Sequence, residues 1–124
     1  MAYEVTILES SKELTNREKI RMKDTTDSVP LDGATQTGEP LIFSPESWAI
    51  LGIHNDKGED KDYKNYLVID SNGVKYRTGS ESFWNAFTNI WNELKDETEE
   101  WEIKVYRLPS KNRSGKDFIT CSLV

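Results

Sequence analysis

The chain has 124 residues, 16 of them basic and 22 acidic, for a net charge of −6, with a single cysteine, Cys121. That length suits one domain, residues 1–124, burying about two-thirds of its unfolded surface without a disulfide or metal staple. One cysteine excludes an intramolecular disulfide and a zinc ribbon. No apolar run approaches the roughly 18 residues of a spanning helix, and Met1-Ala2-Tyr3-Glu4-Val5 lacks the pattern of a signal peptide. The expectation is a cytoplasmic domain with a reduced thiol and no membrane association.

In chain order, Tyr3–Leu8 alternates apolar and polar residues as a half-buried strand does. Thr15-Asn16-Arg17-Glu18 fits a capping box opening a short helix. Ile20 and Met22 fit a two-residue strand period equally well, so this segment stays undecided. Asp24–Glu39 is polar and holds Pro30, Gly33 and Gly38, which predicts a long loop. Ser47–Asn55 reads as a strand, and Asp56–Asp62 as a charged loop around Gly58. Tyr63–Ile69 and Val74–Thr78 form a hairpin around Asn72-Gly73, a dipeptide suited to positive φ angles. A two-residue turn pairs Ile69 with Tyr76 and Leu67 with Thr78, whereas a four-residue loop changes the pairs, so the register stays open.

Thr78-Gly79-Ser80-Glu81 is a second capping box. After it Phe83, Trp84, Phe87, Ile90, Trp91 and Leu94 recur at helical spacing, predicting one amphipathic helix over Ser80–Lys95 with Phe83, Trp84, Phe87 and Trp91 as its core stripe. Trp101–Leu108 and Phe118–Val124 are two further strands, joined by Pro109–Asp117. The class is mainly β, and the order fits a five-stranded Greek-key barrel with its helix between the third and fourth strands. An α+β sheet with a helix on one face is the alternative.

Catalytic signals are weak. His54 is the only histidine, so neither a triad nor a histidine-containing metal cluster can form around it. Cys121 shares a strand face with Ile119 and Leu123, as a buried, inert thiol would. Ser114-Gly115-Lys116 lacks the upstream glycine of a phosphate loop, since Ser110 stands five positions before Gly115. The acidic stretch Asp56–Asp62 does not follow calcium-loop spacing. No enzyme, cofactor or metal is expected.

Charge is unevenly spread. Residues 80–102 carry one basic and seven acidic side chains, whereas residues 103–124 carry five and one. A polyanion senses the field within about 8–10 Å, not the total. Sorting strand residues by parity assigns Leu67, Ile69, Val74, Tyr76, Trp101, Ile103, Val105, Ile119, Cys121 and Leu123 to the core. The other parity sets aromatics beside cations: Tyr66 with Lys64, Lys75 and Arg77, Tyr106 with Lys104, and Phe118 with Lys116. Lys111 and Arg113 add charge in the last loop, and Trp48 either joins this face or closes the barrel end. Rings that stack bases, with cations tracking the backbone, are what single-stranded nucleic acid requires.

Over Tyr63–Val124 the chain resembles the small single-stranded DNA-binding proteins encoded by bacteriophages. The resemblance rests on the hairpin Leu67-Val68-Ile69-Asp70-Ser71-Asn72-Gly73-Val74-Lys75-Tyr76, then the helix, then Trp101-Glu102-Ile103-Lys104-Val105-Tyr106. The Ser110–Lys116 loop and the strand Asp117-Phe118-Ile119-Thr120-Cys121-Ser122-Leu123-Val124 complete it. It implies an OB-like fold that coats replication or recombination intermediates in the host cytoplasm without sequence preference. Tyr66, Tyr106 and Phe118 would stack bases. Many such proteins end in an acidic tail that recruits partners; here a strand stands last, and the acidic run Glu93–Glu102 is the substitute.

The expected function is therefore non-enzymatic binding of single-stranded DNA through Trp48, Lys64, Tyr66, Lys75, Arg77, Lys104, Tyr106, Lys111, Arg113, Lys116 and Phe118. Replication or recombination proteins are expected partners, and a homo-oligomer stays open. The competing expectation is an acidic protein-binding module, such as an inhibitor of a host protein, whose acidic segment imitates a nucleic-acid backbone.

Overall fold

The alternating and helical periodicities resolve, in a computed structural model that describes residues 3–36, 38–55, 62–109 and 117–124, into a mainly β chain with 46% strand and 25% helix. The strands are β1 (Tyr3–Ser10), β2 (Val29–Pro30), β3 (Leu41–Phe43), β4 (Pro45–Asn55), β5 (Asp62–Asp70), β6 (Lys75–Thr78), β7 (Ile103–Pro109) and β8 (Asp117–Leu123). The helices are α1 (Asn16–Lys23), α2 (Leu31–Ala34) and α3 (Glu81–Leu94). Among the described residues there is no closed barrel. One sheet runs β1-β4-β5-β6-β2 and a second runs β3-β7-β8. The expected five-stranded barrel needs the terminal hairpin to extend the first sheet. Instead β7 pairs with β3, a strand the sequence pattern did not indicate, through Leu41↔Val105 and Phe43↔Ile103.

The chain divides into two compact units, each assembled from two separate stretches: residues 1–29 with 46–79, and residues 30–45 with 80–124. In the first, Met22 of α1 packs on Ala49 and Leu51 of β4 and Leu67 of β5, with Val5, Ile7, Leu14 and Ile69 around them. The undecided segment is thus helical. Its capping box is complete: Thr15 accepts from the Glu18 N–H at 3.2 Å, and Glu18 accepts from the Thr15 N–H at 3.1 Å. The helical period wins because only one residue of the segment, Met22, has to be buried. β1 bulges at Leu8, between the pairs Ile7↔Leu51 and Glu9↔Ile50.

The second unit is built on α3, which packs against β8. Ser80 caps it by accepting from the Phe83 N–H at 3.2 Å, so the cap falls two residues beyond the box read from Thr78. Phe83, Trp84 and Phe87 are buried, and rings succeed one another from Phe83 to Trp101 at centroid spacings of 5.8, 5.9 and 6.0 Å. Phe43, Ile103, Val105, Ile119 and Cys121 alternate with exposed residues along the three-stranded sheet and are buried. The stretch read as a long loop contains β2 and α2, whose Leu31 and Thr35 neighbours are buried; Thr35 Oγ1 donates to the Leu31 carbonyl at 2.8 Å.

Candidate nucleic-acid interface

The central hairpin is displaced by one residue from the register of a two-residue turn. Ile69 pairs with Lys75, Val68 with Tyr76, Leu67 with Arg77 and Tyr66 with Thr78. Asp70 is the cause. Its Oδ1 accepts the N–H groups of Asn72 and Val74 at 2.9 Å each, while its carbonyl accepts the Gly73 N–H at 3.0 Å. This favours a three-residue connection with Gly73 at φ +84, the conformation glycine adopts without a Cβ penalty.

A one-residue slip moves every side chain of a strand to the other face. Lys75 and Arg77 consequently share a face with Leu67 and Ile69, not with Tyr66. Lys75, only 11% exposed at its side chain, donates to the carbonyls of Arg21 and Asp24 at 2.9 and 2.8 Å and pairs with Asp27 at 2.7 Å. Arg77 Nε donates to Ser28 Oγ at 2.8 Å. Both are straps within the first unit. Tyr66 is 6% exposed and lies with the buried Val68, Asp70, Tyr76 and Thr78. The expectation of an outward Tyr66 flanked by Lys75 and Arg77 is therefore corrected. The Trp48 side chain is half-buried on the face of β4 opposite Ala49 and Leu51, and the Trp48 backbone N–H donates to Ser11 Oγ at 2.9 Å. Lys64 is exposed on β5.

The three-stranded sheet keeps the expected parity except at its end, where Leu123, expected in the core, is 51% exposed; Val74, expected in the core of the hairpin, is exposed too, because it sits at the end of the turn. Lys104↔Ser122, Tyr106↔Thr120 and Leu108↔Phe118 are direct partners, and Ile42 lies opposite Lys104 on the other side. Every side chain of this set is exposed or half-exposed. Phe118 is 38% exposed, and Tyr106 is fixed by a 2.7 Å hydrogen bond between its hydroxyl and Ser122 Oγ. The Lys104 ammonium stands 5.4 Å from the Tyr106 ring centroid, within cation–π range. Tyr106 and Phe118 are diagonal neighbours, about 7–8 Å apart in an antiparallel pair. Arg107 belongs to the opposite face, donating to Thr35 Oγ1 at 3.1 Å and to the Asp32 carbonyl. Lys111, Arg113 and Lys116 lie outside the described residues. Tyr106, Phe118 and Lys104 are thus brought together on one sheet, while Tyr66, Trp48, Lys64, Lys75 and Arg77 belong to the other.

Sequence reasoning missed α1 as a charged surface. Arg17, Lys19, Arg21 and Lys23 are all exposed on it. Averaging them with the acids of residues 1–40 conceals them, and an undecided helix gives them no common face. A different surface borders the end of β8: a cavity of about 360 Å³ lined by four glutamates, Glu97, Glu99, Glu100 and Glu102, and by the apolar residues around them, Trp101 and Leu123 among these. Elsewhere, His54 Nδ1 lies 2.7 Å from the Asp62 carboxylate, and burial pushes the Cys121 thiol up to about 12. Among the described residues no helix is long and apolar enough to cross a membrane. No protein family, curated protein or solved structure matches the chain.

Proposed function

We propose that the chain binds single-stranded DNA, non-enzymatically and with little sequence preference, on the open face of the β3-β7-β8 sheet. The observation that carries the reading is the pair of accessible rings, Tyr106 and Phe118, on adjacent strands with the Lys104 ammonium beside the first. Two rings at that separation accept two successive bases, and Thr120, opposite Tyr106 and two residues from Phe118, offers a hydroxyl beside them. The connection between the same two strands contributes Lys111, Arg113 and Lys116 in the sequence, a supply of charge for the backbone. Trp48, Tyr66, Lys75 and Arg77 are not part of this site; their packing and hydrogen bonds hold the first unit together.

The test is a salt-titrated binding assay with an oligonucleotide. Losing one stacked base costs about 1–3 kcal/mol, or roughly 5- to 150-fold in affinity. Tyr106→Ala and Phe118→Ala should each show such a loss with the fold intact. Unchanged affinity in both removes this face from the interface.

A second reading, an acidic protein-binding module, is favoured by the cavity that Glu97, Glu99, Glu100 and Glu102 line together with Leu94, Trp101, Leu123 and Val124. Its chemistry suits an apolar segment bearing Lys or Arg. Glu99→Lys with Glu100→Lys separates the readings: it should strengthen DNA binding through charge alone if the sheet face is the site, and abolish capture of a synthetic Lys/Leu peptide if the cavity is.

A further inference from the structure

We infer that the outer face of α1 is a docking surface for the phosphate backbone of duplex DNA, independent of the sheet face proposed above. Burial of Met22, 3% exposed, fixes the rotation of the helix on its sheet. With 3.6 residues per turn, the opposite apex is Ile20, which is 69% exposed. Arg17 and Arg21 then form one flank, and Lys19 and Lys23 the other. Members of each pair stand four residues apart, about 6 Å along the axis.

Arg21 and Lys23, in the last turn, complement the negative pole of the helix dipole, but the other two cations do nothing for the helix itself. Arg17, in the first turn, faces the positive pole of the helix dipole. Both flanks place like charges at i and i+4, an arrangement that weakens a helix. No carboxylate on α1 offsets them: Glu18, its one acid, is held by Lys12 at 3.1 Å and by the Thr15 N–H. Beyond the helix, Asp24 accepts from Thr26 at 2.6 Å and Asp27 is paired with Lys75. Glu13 borders the lysine row, and Glu46 and Asp24, whose Thr26 partner is neutral, border the arginine side, so four cations stand against three acids.

The chemistry identifies the partner. No aromatic lies on this face, so it has nothing on which to stack an unpaired base. Two cationic rows on opposite sides of a helix about 10–12 Å across match two phosphate ridges bounding a groove about 12 Å wide, the B-form major groove. The A-form major groove of RNA is too narrow to admit a helix. A lipid surface requires a broad apolar face, and α1 offers one isoleucine.

The test compares four probes by fluorescence anisotropy or sedimentation: a short mixed-sequence DNA duplex, one of its strands alone, phosphatidylglycerol vesicles and poly-glutamate. The combined variant Arg17→Gln, Lys19→Gln, Arg21→Gln, Lys23→Gln should flatten the log–log salt dependence of duplex binding by about 3.6, from about 0.9 per phosphate contact. Affinity at low salt should fall roughly 100-fold, while the thermal midpoint is unchanged or higher. Arg17→Lys with Arg21→Lys should retain binding. Tyr106→Ala with Phe118→Ala should leave duplex binding intact, which keeps the two interfaces distinguishable. Equal duplex affinity in the neutralised variant overturns the inference. So does a wild-type chain that prefers the vesicles, the poly-glutamate or the single strand at this helix.

Discussion

Replacing Tyr66 by alanine separates a core residue from a base-stacking platform. Its ring is 6% exposed, beside Val68 on β5 and opposite Thr78 on β6, which is itself 3% exposed. A tyrosine buries about 150–250 Å², worth about 4–6 kcal/mol at 25 cal/mol per Å². That is an upper figure, because the unfolded chain already shields part of this surface. Large-to-small aromatic substitutions in cores cost about 3–5 kcal/mol, so about 3 kcal/mol is expected here. With a urea slope of about 1.5 kcal/mol per molar, the unfolding midpoint should drop by about 2 M. Tyr106→Ala, at a half-exposed site, should shift it far less. The assay is urea unfolding followed by far-UV circular dichroism, with DNA affinity measured well below the midpoint. A Tyr66→Ala midpoint within about 0.3 M of wild type, paired with weakened DNA binding, refutes the buried placement.

Two further outcomes follow from the same geometry. Asp70→Ala removes the acceptor for two turn N–H groups and for the Tyr76 hydroxyl at 3.2 Å, and should cost about 2–4 kcal/mol; Asp70→Asn, which keeps the Oδ1 acceptor, should cost less, as thermal or urea unfolding will show. Burial raises the Cys121 thiol from an ordinary value near 9 to about 12. Its neutral form is the one the fold favours, so the stability it contributes is complete below pH 9 and is lost as pH rises from 9 toward 12. Iodoacetamide at pH 8 should therefore modify the native chain far more slowly than the urea-unfolded one; equal rates would show an accessible thiol.

What could be read in advance depended on whether one face of an element was wet. α3 shows its buried stripe in spacing alone, and its bounds differ from the expected helix only by the two capping residues, Ser80 and Lys95. In the middle of β7 and β8 one parity is buried and the other is not, so alternation separates Ile103, Val105, Ile119 and Cys121 from Lys104, Tyr106 and Phe118, and it fails only toward the strand ends, where Leu123 is exposed. In β5 this rule fails. Tyr66, Leu67 and Val68 are all buried in succession, and a strand dry on both sides has no informative parity. Its partner β6 was then assigned by the turn, and the Asn72-Gly73 signal ignored the carboxylate two residues earlier. Asp70 lengthens the connection by one residue, and that residue carries Lys75 and Arg77 to the other face.

The same distinction governs how the charge should be weighed. A pI near 4.8 argues against any polyanion as partner, yet screening at physiological salt limits each charge to about 8–10 Å. An eight-residue helix is about 12 Å long, so Arg17, Lys19, Arg21 and Lys23 act on a ligand as one cluster. The glutamates around Trp101 form a second cluster of opposite sign, on residues of the other unit. Net charge sums both clusters and describes neither. A polyanion bound at α1 must show a steep salt dependence despite the chain's overall acidity, whereas repulsion by the total charge would reverse the sign of that slope. The sign of the slope therefore decides between local and global electrostatics before any residue is changed.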